Sequence, residues 1–192
     1  MCNLYTQTKS VAEVGRIFRD MQMPLRFPDG IPNLQPREIR ITELGPIVRR
    51  GGDGFELVAR RWSWPAPNGK PVYNFRSEGR EFGSGRCLIL ADSFFEFTPQ
   101  ADPKAKRKHK WAFTLRDQPA FAIAGLWRKN ETVGEAYTML TTEPGEDVRP
   151  YHNRQVVVLG PADFGRWLDP SVPARDVLKP LPPGSLNVEQ VC

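Results

Sequence analysis

The chain has 192 residues, of which 40% are hydrophobic and 26% are charged; these fractions are typical of a folded globular protein and exclude an intrinsically disordered one. This length supports one sizeable core, so we expect a single domain over residues 1–192 with a proline-rich carboxyl-terminal tail from about residue 170. The net charge of +5 is compatible with a polyanionic partner but does not demonstrate one.

A short strand and a helix are predicted first along the chain. The segment CNLYTQT, residues 2–8, is strand-like. Ser10 and Glu13 then have the spacing of a helix-capping box. The apolar residues that follow recur with helical spacing: Val14, Ile17, Phe18 and Met21. The pattern predicts one amphipathic helix over about residues 10–22.

The next part of the chain predicts antiparallel β-structure. Residues 23–35 are rich in proline and predict a loop. In REIRITEL, residues 37–44, Ile39 and Ile41 alternate with polar neighbours, as in a strand with one buried face. The segment GPIVRRGGDGFELVARRWSW, residues 45–64, contains two strand-like runs joined by a glycine–aspartate turn and predicts a hairpin.

The second half predicts further strands around a buried centre. The run RCLILADSFFEF, residues 86–97, is apolar for too long to be an exposed strand, so we expect it to be central and buried. Four shorter strand-like runs follow at 110–115, 121–127, 136–142 and 155–160, then a short helix at 161–169 and a tail with at most one further turn. This spacing predicts an α+β fold in which mainly antiparallel twisted β-sheets form a partly closed barrel, with a few peripheral helices.

The sequence contains no signal for export or membrane insertion. No basic segment followed by an apolar run opens the chain, and no stretch approaches the roughly 20 apolar residues of a membrane-spanning helix. Cys2, Cys87 and Cys192 are odd in number and widely spaced, so neither a disulfide framework nor a zinc site is indicated. We therefore expect a cytoplasmic monomer that contacts no membrane and needs no metal or other cofactor.

Cys2 is the first candidate for chemistry because of its position. If Met1 is removed, Cys2 has an amine and a thiol on adjacent carbons. An α-amino group has a pKa of roughly 7.7–8.0, so a useful fraction is uncharged and nucleophilic at neutral pH. Such an aminothiol condenses with an aldehyde: the amine forms a Schiff base and the thiol closes a thiazolidine ring. The alternative is that Cys2 is a small hydrophobic residue in the first strand.

Two titratable residues are further candidates. Glu96 lies in the apolar run SFFEFT, where it either points outward from an edge strand or is enclosed, and enclosure would raise its pKa toward neutrality. His152 lies in the polar stretch RPYHNR, where it is either a surface residue or an acid–base group.

The segment YNFRSEG brings together polar residues that suit a nucleic acid. It contains Asn74, Arg76 and Ser77, soon after the aromatic pair Trp62 and Trp64. Arginine beside exposed aromatic rings is a combination that grips phosphates and stacks unpaired bases. The alternative is a polar loop with an internal arginine–glutamate pair.

Six ordered pieces of the sequence resemble a known family: MCN, PNLQP, YNFRSEG, GRCLILADSFFEF, AGLW and YHNRQVVVL. Together they are similar to the SOS-response-associated peptidase (SRAP) domain, a family that shields abasic sites in single-stranded DNA. The resemblance extends from Cys2 to about Leu168, and the order of the pieces is more specific than any one of them.

The resemblance implies a covalent DNA–protein cross-link in which Cys2 traps the ring-opened sugar aldehyde of an abasic site as a thiazolidine. Asn74 would orient the amino-terminal residue and the sugar. Glu96 would shuttle protons during Schiff-base formation and slow reversal, and His152 would help to open the sugar ring. The expected DNA-binding residues are Arg76, Trp62, Trp64, Arg154 and Ser77. Whether such a protein counts as an enzyme depends on reversal of the adduct.

The sequence departs from the family pattern at three places. Most members begin with Cys-Gly-Arg, whereas Cys2 is followed here by Asn3 and Leu4, so a basic residue that touches DNA is missing. The family's arginine–methionine–proline pattern is replaced at residues 154–156 by Arg-Gln-Val, and Glu96 is followed by Phe97 instead of tryptophan. The basic run at residues 104–110 is either a substitute phosphate contact or a solvated hairpin tip.

Three functions remain open from the sequence. The first is capture of abasic sites by Cys2, with single-stranded DNA as partner. The second is an amino-terminal-nucleophile cysteine peptidase or amidohydrolase, in which the Cys2 thiolate attacks an acyl carbon. The third is a non-covalent single-stranded DNA-binding module in which Cys2 is inert.

Overall fold

A computed structural model describes residues 2–102, 104, 106–118 and 120–191. Its helices are α1 (Val11–Asp20) and α2 (Pro161–Leu168), followed by a 3-10 turn at Ala174–Asp176. The strands are β1 (Leu4–Gln7), β2 (Leu25–Arg26), β3 (Arg37–Arg40), β4 (Leu44–Gly51), β5 (Gly54–Trp62), β6 (Trp64–Pro65), β7 (Pro71–Val72), β8 (Asn74–Arg76), β9 (Arg86–Ala91), β10 (Ser93–Thr98), β11 (His109–Leu115), β12 (Phe121–Asn130), β13 (Gly134–Thr142), β14 (Gln155–Val156), β15 (Val158–Leu159) and β16 (Leu186–Gln190).

The predicted fold class is confirmed, and a closed barrel is at its centre. Strands β13, β12, β9, β4 and β5 pair in that order with antiparallel neighbours. A two-residue parallel contact between β5 and β13, Arg61 with Ala136 and Trp62 with Tyr137, closes the ring. Because closure joins the two end strands, the barrel has five strands and no free edge at this point.

A second sheet contains the amino-terminal strand. Its order is β16-β11-β10-β1-β3, and all of its pairs are antiparallel. The two sheets are joined where the hydroxyls of Tyr5 on β1 and Tyr137 on β13 form a buried 2.7 Å hydrogen bond. This joint fixes the start of the chain against the barrel.

Alternation along the barrel strands produces two cores. Ile47 and Ile89 belong to a cluster that also contains Cys2 and Tyr5, whereas the adjacent Val48 and Leu88 belong to a cluster with Phe18 of α1 and Trp167 of α2. Successive side chains on a strand point to opposite faces, so one cluster fills the space between the barrel and the second sheet and the other lies under the helices.

The helices form where local signals predicted them. Ser10 caps α1: its hydroxyl oxygen accepts a hydrogen bond from the Glu13 amide, and the Glu13 carboxylate accepts one from the Ser10 amide at 2.8 Å. Helix α2 begins with Pro161, which lacks the amide that would have no intrahelical partner there. Within the described part of the chain, no helix is both long enough and apolar enough to cross a membrane.

Two expectations about strands need correction. The apolar run at residues 86–97 is buried as expected, but it forms two strands in different sheets, β9 and β10, with a break at Asp92. The Asp92 carboxylate accepts hydrogen bonds from Thr8 and Lys9, and these stabilise the break. The tail after residue 170 contains more than one turn, because β16 returns to pair with β11.

Candidate functional site

Cys2 lies inside the protein, immediately before β1. Its residue surface is only 1% exposed, and it belongs to the core between the barrel and the second sheet. The thiol donates a hydrogen bond to the Leu4 carbonyl oxygen at 3.2 Å. The structure therefore holds this residue in a fixed, dry position. Removal of Met1, which the sequence analysis left open, concerns a residue outside those that the structure describes.

Asn74 positions Cys2 from the barrel side. It begins β8, a short strand that pairs in parallel with β13, where Asn74 is opposite Met139. Its side-chain amide donates a hydrogen bond to the Cys2 carbonyl oxygen at 2.8 Å. The other amide atom, Oδ1, is buried and has no hydrogen-bond partner among the described residues. A buried acceptor without a donor is costly, so this oxygen is available to an incoming group beside Cys2.

Glu96 lies on β10 and is enclosed, at 2% exposure. Burial raises the pKa of its carboxyl to about 7. Burial also raises the pKa of the Cys2 thiol to about 12, and the charge of Glu96 acts in the same direction, which makes the two groups electrostatic neighbours. The expectation that Glu96 is enclosed, with a pKa near neutrality, is confirmed.

His152 lies in the loop between β13 and β14, and its ring is held by the backbone. The ring nitrogen Nδ1 is 3.0 Å from the Arg154 amide, which donates to it, and 3.1 Å from the Arg154 carbonyl oxygen. A neutral Nδ1 accepts from the amide and a protonated Nδ1 donates to the carbonyl, so the ring keeps a partner in either state. Burial lowers the pKa of His152, which favours the neutral ring.

An aromatic pair brings the His152 loop close to the strand of Glu96. Tyr151 packs against Trp111, with ring centroids 4.6 Å apart. Trp111 is directly opposite Glu96 in the pairing of β10 with β11. Both rings are only half-buried. Sequence reasoning missed this pair, and its only signal was a tyrosine next to the candidate histidine.

Arg154 is committed to contacts within the protein. Its guanidinium binds both carboxylate oxygens of Glu78, one at 3.0 Å, and donates to the Thr141 hydroxyl at 2.9 Å. Its side chain is 13% exposed, and the ion pair lowers the pKa of Glu78. Since its backbone also holds the His152 ring, Arg154 organises this loop in addition to any contact with DNA.

The remaining residues expected to bind DNA differ in exposure. Arg76 is exposed on β8. Ser77 is 5% exposed and its hydroxyl donates to the Thr141 carbonyl at 2.8 Å, so its side chain anchors the loop instead of facing a ligand.

The expectation of an exposed tryptophan pair is wrong. Trp62 is 0% exposed and its indole donates to the Tyr73 carbonyl oxygen at 2.9 Å. Trp64 is 6% exposed, and the Arg128 guanidinium lies over its ring at 4.3 Å. Neither indole offers an open face to a base in this structure.

The basic run at residues 104–110 is described in part, because Ala105 lies outside the described residues. Lys110 already belongs to β11, where its ammonium pairs with Glu38 and lies 4.0 Å from the centre of the Phe95 ring. His109 interacts with the Gln190 side chain at 2.9 Å. The end of this run is therefore part of the second sheet.

The family model described as SOS response associated peptidase (SRAP) matches residues 1–192. The chain belongs to the SRAP family. This SRAP chain is 34% identical over 148 residues to the abasic site processing protein YobE of Bacillus subtilis, a match that covers 75% of the chain and 63% of the relative. It is 36% identical over 107 residues to YoaM of the same bacterium, named in the same way, covering 53% of the chain and 45% of the relative. The SRAP chain thus spans less than two thirds of the length of either relative.

Solved structures share the SRAP fold seen here. A crystal structure of a Bordetella bronchiseptica protein matches with a TM-score of 0.71 and 25% identity over 100% of both chains. A Bacteroides thetaiotaomicron protein matches with a TM-score of 0.74 over 100% of this chain and 92% of that one, at 15% identity. The second likeness shows the fold alone.

Proposed function

We propose that this SRAP protein processes abasic sites in single-stranded DNA by forming a thiazolidine cross-link between Cys2, freed of Met1, and the ring-opened sugar. The observation that carries the proposal is the hydrogen bond from Asn74 to the Cys2 carbonyl, which fixes Cys2 beside a carboxyl whose pKa is about 7. The names of the Bacillus subtilis relatives, abasic site processing proteins, agree with this substrate.

The chemistry begins at the Cys2 amine. The uncharged amine attacks the sugar aldehyde to give a carbinolamine, and a protonated Glu96 donates a proton to the hydroxyl, which leaves as water and gives an iminium ion. The Glu96 carboxylate then takes the thiol proton while sulfur adds to the iminium carbon. The ring closes as a neutral thiazolidine, and Glu96 is again protonated.

The burial of the thiol supports this order of steps. Because its pKa is raised to about 12, the thiol is almost entirely protonated at neutral pH. It therefore needs a neighbouring base to react, and Glu96 is the group that electrostatically senses it. The same protonation disfavours the cysteine peptidase alternative, in which a thiolate must attack first.

Asn74 and His152 would prepare the substrate. The buried Oδ1 of Asn74 is an acceptor for the amine or for a sugar hydroxyl, and this bond would remove its desolvation cost. A neutral His152 would move the proton that opens the sugar ring, because its Nδ1 keeps a backbone partner whether or not it is protonated.

DNA contacts would come from the surface around this site. Arg76 is exposed beside Asn74 and suits a phosphate. Trp111 and Tyr151 are half-buried next to Glu96 and His152, and would take the stacking role that Trp62, being buried, does not offer. We infer that the whole chain acts as one domain.

Intact-protein mass spectrometry tests the proposal, with a single-stranded oligonucleotide that contains one abasic site. Wild type, Cys2→Ala and Cys87→Ala are compared, since Cys87 is also a buried free thiol but belongs to β9. We expect wild type and Cys87→Ala to start without methionine and to gain the oligonucleotide mass in denaturant, and Cys2→Ala to gain nothing.

Other outcomes would select a different function. Hydrolysis of acyl substrates by a wild type that forms no adduct would favour the peptidase. Salt-sensitive binding that ignores the abasic site and survives Cys2→Ala would favour a binding module.

A further inference from the structure

A groove of about 500 Å³ runs beside the candidate site and is used by none of the steps above. Its aromatic lining residues are Trp64, Phe75, Phe82 and Trp127. Its cationic residues are Arg80 and Arg128, both exposed, and Glu81 contributes the one acidic side chain among the lining residues that the structure describes.

The groove combines rings and guanidinium groups in stacked pairs. The Arg128 guanidinium lies 4.3 Å from the centre of the Trp64 ring, and the Arg80 guanidinium lies 4.7 Å from that of Phe75. In such a pair the ring holds one face of the planar cation and the other face is free for a second flat group. The groove therefore presents flat, positively charged platforms that a purely apolar pocket would lack.

The floor of the groove is rigid before any ligand arrives. Phe82 packs edge-on against both Phe75 and Trp167, with ring centroids 6.5 and 6.1 Å apart. The Phe82 carbonyl oxygen accepts a 2.7 Å hydrogen bond from the buried Arg86, whose guanidinium also bonds to the carbonyl oxygens of Asp169 and Val172. A preformed surface of this kind loses little entropy on binding.

The backbone beside the floor is shaped by a glycine. Gly85 has a φ of +73°, and a Cβ there would lie 2.6 Å from the Trp127 carbonyl oxygen. The close approach brings the 80–85 loop against β12, and the Gly85 carbonyl accepts a 2.7 Å bond from the Trp127 amide. The two walls of the groove are thus tied together.

The groove is continuous with the candidate site along the chain. Asn74, which holds Cys2, is followed directly by Phe75 of the groove and by the exposed Arg76. A strand of DNA held at Cys2 would meet the groove within one residue of the protein backbone.

The charge of the groove favours a phosphodiester strand. Arg80 and Arg128 face solvent, with the exposed Arg76 and Lys129 at the neighbouring positions of β8 and β12. Glu81 is already engaged, because its carboxylate accepts a 2.7 Å hydrogen bond from the Ala174 amide. Rings, stacked guanidinium planes and net positive charge are the features that bind unpaired nucleotides.

We propose that this groove binds the unpaired nucleotides next to the abasic site, with their bases on the Arg80 and Arg128 platforms and their phosphates against the exposed cations. The inference rests on the proposed function, because that function supplies the strand. It adds a binding site for the flanking sequence and predicts that affinity grows with the length of the single strand until the groove is filled.

The first experiment measures binding without chemistry. Fluorescence anisotropy follows undamaged oligo(dT) of increasing length on Cys2→Ala protein, which keeps the groove intact. Arg80→Ala and Arg128→Ala are added to this background, and Arg16→Ala, an exposed arginine of α1, is the matched control. We expect each groove variant to weaken binding about five- to tenfold and to reduce the slope of log K against log[salt] by about 0.7, the value for one phosphate contact on a single strand. The Arg16 control should change neither.

Equal affinity and equal salt slope in all variants would overturn the groove. Thermal melting checks the fold, which substitution of exposed side chains should leave intact.

A second experiment separates the groove from the proposed function. On an abasic oligonucleotide of three nucleotides, too short to reach along the groove, Arg80→Ala with native Cys2 should cross-link at the wild-type rate, and on a long strand it should cross-link several-fold more slowly at limiting DNA. If no variant cross-links while oligo(dT) binding still depends on Arg80 and Arg128, the proposed chemistry fails and the groove stands. If cross-linking proceeds at the same rate on both lengths in every variant, the groove fails and the chemistry stands.

Discussion

Glu96 shows how one residue trades stability for chemistry. It is 2% exposed and its pKa is raised to about 7 by burial, so ionising it inside the protein is unfavourable. A carboxyl that titrates near neutrality is also suited to donate and accept protons at the pH of the cytoplasm. The cost and the use come from the same enclosure.

Replacing Glu96 by glutamine should therefore stabilise the protein at high pH. From about pH 4.5 to 7 the folded wild type keeps a proton that the unfolded chain releases, so its free energy of unfolding falls as pH rises, by up to about 1.4 kcal/mol per pH unit. Glu96→Gln lacks this slope, and its advantage over wild type should be greatest above pH 7. Urea unfolding across pH 4–9 measures it, with the exposed Glu146→Gln as control. A parallel pair of curves for Glu96→Gln and wild type would contradict the raised pKa.

Asn74 should matter for the reaction much more than for folding. Asn74→Ala removes the 2.8 Å hydrogen bond to the Cys2 carbonyl and the buried Oδ1, so the amine is less well oriented. We expect the rate of cross-linking to fall about 10- to 100-fold, as followed by denaturing gel electrophoresis. Asn68→Ala, which removes an exposed asparagine, should react like wild type. If Asn74→Ala cross-links at an unchanged rate, the positioning role is wrong.

At this scale the sequence predicts chemistry better than exposure. The enclosure of Glu96 follows from its phenylalanine neighbours, which are local. The burial of Trp62 depends on the Tyr73 carbonyl and on β13, and the engagement of Arg154 depends on Glu78, 76 residues away. Such partners are brought together by the fold, so the residue pattern around each side chain does not reveal them.

Among the elements, β16 links the carboxyl-terminal segment to the candidate site. It pairs with β11 along five residues, and its Leu186 is buried opposite Leu115. Asp147, in the loop that leads to His152, accepts hydrogen bonds from the Gly184 amide at 2.8 Å and the Leu186 amide at 3.0 Å. The segment that the sequence suggests is a tail therefore supports the His152 loop.

Leu186→Ala should expose this dependence. Truncating a buried leucine costs about 2–5 kcal/mol, and here the loss should also loosen β11. We expect a lower melting temperature and faster amide hydrogen exchange in β11 and the 143–154 loop. Val191→Ala is the control, since that side chain is 46% exposed. Unchanged exchange in β11 would show that β16 is dispensable for the second sheet.

Local signals explain which elements could be predicted. The capping box of α1, the proline that begins α2 and the glycine–aspartate turn between β4 and β5 each act within a few residues. By contrast, β16 has no strong alternation, and it forms because β11 offers an unpaired edge. The break at Asp92 is fixed by Thr8 and Lys9, which are distant in sequence.

For the whole molecule, the joint between barrel and second sheet is the decisive contact. Tyr5 and Tyr137 share a buried hydrogen bond, and Gly45 on β4 leaves room for it, since a Cβ at Gly45 would collide with both hydroxyls. The sequence predicts a partly closed barrel, but the closing contact between β5 and β13 and this joint are long-range and were not predicted.

Gly45→Ala should separate the two sheets. Overpacking of this kind costs about 1–3 kcal/mol, and because β1 carries the Cys2 region, cross-linking should slow as well. Gly83→Ala is the matched control, because a Cβ there meets no heavy atom within 4 Å. Chemical denaturation and the mass-spectrometric assay measure the two effects. A Gly45→Ala protein as stable and as reactive as Gly83→Ala would refute the joint.

The enclosure of Cys2 also sets a schedule during synthesis. Its strand β1 is held between β3 and β10, and β10 extends to Thr98. A ribosome adds roughly 5–20 residues per second, so the nascent chain lacks this second partner strand for roughly 5–20 s after residue 2 is made. A methionine-trimming enzyme therefore has those seconds to act on an open chain, and a slow ribosome would yield more of the reactive protein than a fast one.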